Sequence, residues 1–194
     1  MIEKESWRMT DLSQKLHGII VPLVTPFTAD GRVDEKSLRA LANHVVDGGV
    51  NGIFVMGSTG EFQYLPFEQQ QLAIGTVADE VGDRTLVVAG VTGKSVEETI
   101  RNVTVIASLS TPPDALVVAP LCYHSNRNLP QHMERLSRFS NLPVLLYNNL
   151  GIVLNDGGRS EEAIACYKKA LEVNPNAADV YINLGCAFRQ LKIF

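Results

Sequence analysis

The 194-residue sequence has no strong excess of charge of either sign and no long apolar run. Seventeen Lys and Arg residues against twenty-one Asp and Glu residues give a net charge of −4, which offers no general attraction to nucleic acid or to an anionic membrane. No apolar run approaches the ~20 residues that span a bilayer. The first sixteen residues mix both charge signs without an apolar stretch, so we expect no signal peptide. We therefore expect neither nucleic acid nor a membrane as a partner.

Paired cysteines and metal-ligand spacings are also missing. The three cysteines are Cys122, Cys166 and Cys186. Their odd number and wide spacing predict free thiols in a reducing compartment, and the expected location is the cytoplasm. The four histidines are His17, His44, His124 and His132. Their spacing does not suit a metal ion, so we expect no metal and no cofactor.

What the sequence does have is an alternation of short apolar runs and amphipathic stretches between His17 and Tyr147. The runs are HGIIVPLV, NGIFVM, TLVVAG, DALVVAP and PVLLY. Such short, almost wholly apolar runs are typical of parallel strands that are covered on both faces. The alternation predicts right-handed βαβ units in an α/β fold. We count five strands and four helices, so the prediction is an incomplete (β/α)8 TIM barrel, which needs eight of each.

Helix starts can be read from the capping residues. Asp34 precedes EKSLRALANHVVD, which ends at Gly48 and Gly49. Pro66 opens the second amphipathic stretch. Ser95 heads the third, with Glu98 three residues later, the spacing of a capping box.

After Tyr147 the pattern changes to a repeat. Tyr147, Asn149, Leu150 and Gly151 recur 34 residues later as Tyr181, Asn183, Leu184 and Gly185. This is the period of the tetratricopeptide (TPR) repeat, which residues ~144–194 resemble. The predicted packing positions are Leu150, Gly151, Ala163, Tyr167, Ala170 and Pro175. We predict an all-α helical hairpin followed by one further helix. A chance amphipathic hairpin is the alternative. The expected domains are an N-terminal extension (1–16), the partial barrel (17–149) and the TPR-like segment (150–194).

Candidate chemistry follows the second strand, in the turn Gly57-Ser58-Thr59-Gly60. Its backbone N–H groups and side-chain hydroxyls can converge on a carboxylate, although a plain βα turn is the alternative. The neighbouring strand ends are Pro22-Leu23-Val24-Thr25-Pro26-Phe27, Ala89-Gly90-Val91, Ala119-Pro120 and Leu145-Leu146-Tyr147-Asn148. With these strand ends in this order, residues ~17–149 resemble the N-terminal part of the dihydrodipicolinate synthase / N-acetylneuraminate lyase family.

The resemblance implies a pyruvate-dependent class I aldolase, a carbon–carbon lyase in which a lysine forms a Schiff base with a 2-oxo acid. By position, Ser58 is the relay hydroxyl, Thr59 holds the substrate carboxylate with Gly57 and Gly60 shaping the turn, and Tyr147 is the proton-shuttling phenol. The family's second tyrosine corresponds to Cys122, and the adjacent Tyr123 is the candidate for its role. Relatives are usually oligomers, so the resemblance also allows a homo-oligomer.

The family's lysine lies at the end of a sixth strand, where this chain instead enters the helical repeat. Ile152 stands where the family often has an arginine. Lys94 lies nearest the strand ends and is expected to be solvated. We therefore expect an aldolase-like chain that is inactive. The alternatives are a TPR module that binds a protein partner and a non-functional chimeric fusion. Five barrel strands with open sheet edges and an uncovered interior face also predict partial folding with self-association.

Overall fold

The computed structural model describes residues 12, 15–119, 129–146, 155, 158–173 and 178–191. These residues form two compact units, one comprising 12, 15–119 and 133–146, the other comprising 129–132, 155, 158–173 and 178–191. The strands are β1 (Ile20–Pro22), β2 (Gly52–Val55), β3 (Leu86–Gly90), β4 (Ala115–Val118) and β5 (Val144–Leu146). The helices are α1 (Glu35–Asp47), α2 (Phe67–Val81), α3 (Val96–Ala107), α4 (Leu129–Ser137), α5 (Ser160–Val173) and α6 (Ala178–Gln190).

All five strands are parallel and pair in chain order, β1-β2-β3-β4-β5. Together with α1 to α4, they confirm the predicted incomplete TIM barrel of five strands and four helices. The register aligns the carboxyl ends of neighbouring strands: Val55 lies opposite Ala89, and Val118 lies opposite Leu146. The loops that follow the strands therefore leave the sheet at one common edge, where β/α barrels carry their functional groups.

The predicted caps hold two of the helices as expected. The Asp34 carboxylate accepts a hydrogen bond from Ser37 N at 3.1 Å and begins α1. The Ser95 hydroxyl accepts from Glu98 N at 3.1 Å and begins α3. Each bond satisfies one of the N–H groups that a helix leaves free at its start. Pro66 is the capping residue before α2 rather than its first helical residue. Assignments of helix ends commonly differ by one residue.

The two faces of the sheet are buried in different ways. The face toward the helices carries Ile53, Val55, Val87, Ala89, Leu116 and Val118, all in the main core. The opposite face, which would line a closed barrel, carries Leu86, Val88, Ala115 and Val117. These four are at most 7% exposed, so the expectation of an uncovered interior face is wrong for them. Leu12 belongs to the same cluster and is itself 5% exposed, so part of the cover comes from the chain ahead of β1.

In the second unit, α5 and α6 pack around a small apolar cluster. The buried members are Ala163, Ile164, Tyr167 and Ala187. Ala163 and Tyr167 are thus confirmed as packing positions, while the other positions predicted for the first repeat lie outside the described side chains. The Ser160 hydroxyl donates to Gln190 Oε1 at 2.9 Å and joins the start of α5 to the end of α6. Within the part of the chain that the structure describes, no helix has the length and apolar character needed to cross a membrane.

A polar network joins α1 to α2 on the outside of the first unit. Arg39 Nη1 donates to Asp79 Oδ2 and to Glu80 Oε2, both at 2.9 Å. Asn43 Nδ2 donates to Glu80 Oε1 at 2.7 Å. The Asn43 amide, followed by the Arg39 guanidinium, lowers the pKa of Glu80 below its usual range because both donors favour the charged carboxylate.

We predict that Glu80→Gln flattens the fall of the melting temperature on acidification. Because the pKa of Glu80 is lower in the folded chain than in the unfolded chain, its contribution to stability is complete above the ordinary glutamate pKa of about 4.3 and is lost as the pH falls through the folded value. The measurement is a series of thermal melts from neutral pH to about pH 3. Thr104→Val, at an exposed position of α3, removes no titratable group; it is the control and should keep the wild-type profile. An unchanged profile for Glu80→Gln would contradict the prediction.

Candidate functional site

The candidate site begins at the carboxyl end of β2. The strand ends at Val55, and Ser58–Gly60 form a single 3-10 turn in which Gly60 N donates to Gly57 O at 3.0 Å. Gly57 and Gly60 are buried, whereas Ser58 and Thr59 are exposed. The first N–H groups of such a turn have no acceptor within it. The turn therefore presents two hydroxyl side chains and free backbone donors to solvent at the edge where the strands end.

Close packing favours glycine at both ends of the turn. A Cβ on Gly57 would lie 2.8 Å from Cε1 of the Phe54 ring, and one on Gly60 would lie 3.3 Å from the carbonyl oxygen of Leu23. The φ angle of Gly57 is −81°, which any residue adopts. Packing against β1 and β2, rather than backbone freedom, thus explains the pair of glycines that the sequence analysis identified.

The residues on either side of the turn both have left-handed backbone conformations. Met56 has φ 57° and is 1% exposed, and Glu61 has φ 59°. Such conformations cost roughly 1–3 kcal/mol at non-glycine residues and persist only where the surroundings enforce them. On β3, the absence of a side chain at Gly90 permits this backbone course, because a Cβ there would lie 2.0 Å from the carbonyl oxygen of Met56. The close approach of these two backbones sets where the turn leaves the sheet.

A contact from β1 holds the other end of the turn. Thr25, which follows β1 and is 6% exposed, donates its hydroxyl to Gly60 O at 2.7 Å. The Thr25 hydroxyl therefore holds the turn from the side of β1, and Gly90 leaves room for the Met56 carbonyl on the side of β3. The sequence analysis quoted Thr25 within the end of the first strand but gave it no role.

Buried polar side chains also hold the next loops. The Thr92 hydroxyl accepts from Ala119 N at 2.8 Å and ties the end of β3 to the end of β4. Asn102 Nδ2 donates to Val91 O at 3.3 Å from within α3. Thr92 and Asn102 were missed by the sequence analysis. For Asn102 a signal existed, since it shares the buried face of α3 with Val103 and Ile106, and a polar residue on such a face needs a hydrogen-bond partner.

The structure thus places Gly57, Ser58, Thr59 and Gly60 together at the end of β2. Tyr123 and Tyr147 lie outside the described residues, as does Cys122. Leu146, the residue before Tyr147, is paired with Val118 at the end of β4.

Lys94 and Ile152 are the two side chains that the sequence analysis expected to have no role at the site. Lys94 is exposed ahead of α3, and its backbone N–H donates to Glu98 Oε2 at 2.9 Å. Ile152, at the position of the family's arginine, lies outside the described residues. Within the described ranges, no three His, Cys, Asp or Glu side chains gather in a way that could hold a metal ion.

A parallel sheet in chain order, with helices on one face and a glycine–hydroxyl turn at its carboxyl edge, defines part of a β/α-barrel enzyme. Residues 15–152 match the model of the dihydrodipicolinate synthetase family. The chain belongs to this family. Residues 151–192 match a TPR repeat model, in agreement with the helical pair that follows the sheet.

Relatives and solved structures agree with this membership. The 4-hydroxy-tetrahydrodipicolinate synthase of Methanothermobacter thermautotrophicus is 35% identical over 137 residues, which cover 69% of this chain and 47% of the relative. The putative 2-dehydro-3-deoxy-D-gluconate aldolase YagE of Escherichia coli is 35% identical over 132 residues, covering 68% and 43%. The crystal structure of YagE in complex with pyruvate superposes with a TM-score of 0.66 at 29% identity, covering 91% of this chain and 60% of that one. The chain spans about half the length of the curated relatives it matches.

We predict opposite effects for two glycine substitutions. Gly90→Ala should lower the free energy of unfolding by about 1–3 kcal/mol, because its Cβ would collide with the Met56 carbonyl. Gly75→Ala, in the interior of α2, should raise it by about 0.5–1 kcal/mol, since its Cβ would come no closer than 3.9 Å to Leu109 Cδ1 and alanine favours a helix. Urea titrations followed by circular dichroism measure both. Equal stability of the two variants would contradict the packing that we assign to Gly90.

Proposed function

We propose that the first unit carries the carboxylate-binding part of an aldolase site for a 2-oxo acid such as pyruvate, and that the chain does not complete the Schiff-base reaction. The observation that carries this proposal is the 57–60 turn at the carboxyl edge of the sheet, held by the Thr25 hydroxyl and given room by Gly90, with Ser58 and Thr59 exposed. Membership of the dihydrodipicolinate synthetase family and the pyruvate complex of YagE support the substrate class.

In this proposal Thr59 binds the substrate carboxylate. Its hydroxyl and the free N–H groups at the start of the turn are uncharged hydrogen-bond donors. Such donors can bind a carboxylate without a positively charged side chain. Ser58 is the relay hydroxyl, and Gly57 and Gly60 keep the turn close to the sheet. Tyr147 would add a phenol for proton transfer, with Tyr123 as the candidate for the second phenol. These roles are carried over by position from the family pattern.

The proposed inactivity concerns the nucleophile. A Schiff-base lysine attacks the keto carbon as a neutral amine, and burial or a nearby cation makes that form available at neutral pH. Among the described residues after β5, the regular elements are the helices α5 and α6, whereas the family pattern has a sixth strand that ends in the lysine. Lys94 and Lys168 are exposed, which gives neither side chain the burial that such a lysine needs. This arrangement supports a site that binds the 2-oxo acid without forming the imine.

We predict that borohydride treatment with pyruvate leaves the intact mass of the folded chain unchanged. In a Schiff-base enzyme, the lysine condenses with the keto group and water leaves, and borohydride then reduces the imine to a stable secondary amine. Each trapped pyruvate therefore adds the mass of pyruvic acid less one oxygen atom to one lysine. The Methanothermobacter thermautotrophicus synthase is the comparison protein for the assay, and circular dichroism on the same sample establishes folding. A stoichiometric adduct on one lysine, located by peptide mapping, would contradict the proposed inactivity.

Noncovalent binding of pyruvate tests the proposal that the chain holds a 2-oxo acid through Thr59. We predict that pyruvate binds the wild-type chain and that Thr59→Val weakens the binding about tenfold, because one hydrogen bond to a charged group is lost. Thr104→Val, which removes an exposed threonine hydroxyl from α3, is the matched control and should bind as the wild type does. The measurement is an NMR titration of the amide signals. Equal affinity for Thr59→Val and Thr104→Val would contradict the role given to Thr59.

A second candidate function is a protein interaction through the TPR segment. The observation that favours it is the α5–α6 pair, the second helix of the first copy and the first helix of the second, which pack around Ala163, Tyr167 and Ala187. It ranks lower because a concave binding groove normally needs about three repeats. A partner that binds the full chain saturably, and not a chain lacking residues 151–194, would support it. Absence of both pyruvate binding and partner binding would leave the third candidate, a non-functional chimeric fusion.

We also propose a domain boundary at 149/150, with residues 1–16 as an N-terminal extension. The end of β5 at Leu146 and the TPR match from residue 151 support the boundary. The contribution of Leu12 to the strand cluster gives the extension a packing role. We propose a cytoplasmic location from the odd number of cysteines, and the family resemblance allows a homo-oligomer. Sedimentation of the purified chain measures its oligomeric state.

A further inference from the structure

We propose that Thr25 is a positioning residue for the 57–60 turn. Its hydroxyl fixes the orientation of the Gly60 carbonyl, so that the turn presents Ser58 and Thr59, and no free carbonyl oxygen, to the substrate carboxylate. This inference rests on the proposed function, because it assigns Thr25 to the same carboxylate site. Neither the family resemblance nor the comparisons with known proteins gives Thr25 a role.

The first support is the way Thr25 is held. Two residues earlier, Leu23 N donates to Phe54 O at 2.9 Å, which fastens the segment to β2. One residue later, Pro26 O accepts from Asp34 N at 2.9 Å, which fastens it to the start of α1. Thr25 therefore projects from a backbone that is anchored on both sides. A hydroxyl on such a backbone can fix the position of a neighbouring turn.

The second support is the enclosure of the contact itself. Thr25 is 6% exposed, and a Cβ built on Gly60 would lie 3.4 Å from Thr25 Oγ1, so the two residues are packed closely. Water therefore has little room to replace the Thr25 hydroxyl as a donor to Gly60 O. A buried carbonyl that loses its donor tends to rotate toward another one, because an unpaired buried polar group is unfavourable.

The third support is the place at which such a rotation would occur. The peptide bond after Gly60 leads into Glu61, whose φ of 59° is already in the left-handed region. Rotation of this peptide would relieve the strain at Glu61 and would turn the Gly60 carbonyl and the Glu61 N–H. The N–H of Glu61 donates to Ser58 O at 3.1 Å, so the change would pass directly to Ser58. The Thr25 hydroxyl opposes this movement.

The experiment compares Thr25→Val, which keeps the shape but removes the hydroxyl, with Thr25→Ser, which keeps the hydroxyl. Pyruvate affinity is measured by NMR titration of the full chain, and the 13C shift of the Gly60 carbonyl reports its hydrogen bond. We expect Thr25→Val to weaken pyruvate binding by about three- to tenfold and to move the carbonyl shift, because one neutral hydrogen bond is lost. Thr25→Ser should stay within about twofold of the wild type and keep the shift. Thr25→Ala, which removes the hydroxyl without adding bulk, should behave as Thr25→Val does and serves if the valine disturbs packing.

Different results would overturn the proposed function and the positioning role of Thr25. Wild-type chain that is folded yet does not bind pyruvate would overturn the proposed function. An unchanged Gly60 carbonyl shift in Thr25→Val and Thr25→Ala would overturn the positioning role. Wild-type affinity in both variants, with a changed shift, would also overturn it, because the hydroxyl would then hold the turn without affecting the site. Loss of affinity in Thr25→Ser as large as in Thr25→Val would show that the methyl group, and not the hydroxyl, matters.

Discussion

The parallel backbone ladder in chain order is the constraint on which the rest of the first unit depends. Each strand pairs with the strand that precedes it in sequence, so each crossover places a helix on the same face and returns the chain to the same end of the sheet. The pairing of Val55 with Ala89 and of Gly90 with Val117 then fixes how far each strand end projects. The 57–60 turn follows the end of β2, where Thr25 in the segment after β1 holds it and Gly90 of β3 leaves room for the Met56 carbonyl.

The sheet also explains how five strands can make a compact unit without closing. One face is covered by the helices, and the four inward side chains of β3 and β4 are at most 7% exposed. Burial of both faces is the usual condition for a parallel sheet, and in a closed barrel the other strands supply the inner cover. The participation of Leu12 shows that a segment outside the strands can provide part of this cover. The helical pair α5–α6 has a separate apolar cluster of its own.

Signals between residues close in sequence were sufficient to predict most of the strands and helices of the first unit. Asp34 and Ser95 cap their helices as predicted, because a cap depends on residues only three positions apart. The contact of Thr25 with Gly60 spans 35 residues, and that of Gly90 with Met56 depends on a left-handed methionine that no sequence pattern indicates. The cover of the inner face was missed for a similar reason, since Leu12 stands in a polar segment and only the fold brings it to the strands. Sequence reasoning found the turn but not the residues that hold it.

The central claim is that the five strands form one cooperative sheet that holds the 57–60 turn in place. Hydrogen–deuterium exchange of the full chain, followed by mass spectrometry at neutral pH, tests this most directly because exchange reports the free energy of opening each backbone amide. We predict that β2, β3 and β4 exchange last and together, and that the hydrogen-bonded amides of Gly60 and Glu61 exchange more slowly than those of Ser58 and Thr59. Rapid exchange throughout β3, the most central strand, would contradict it.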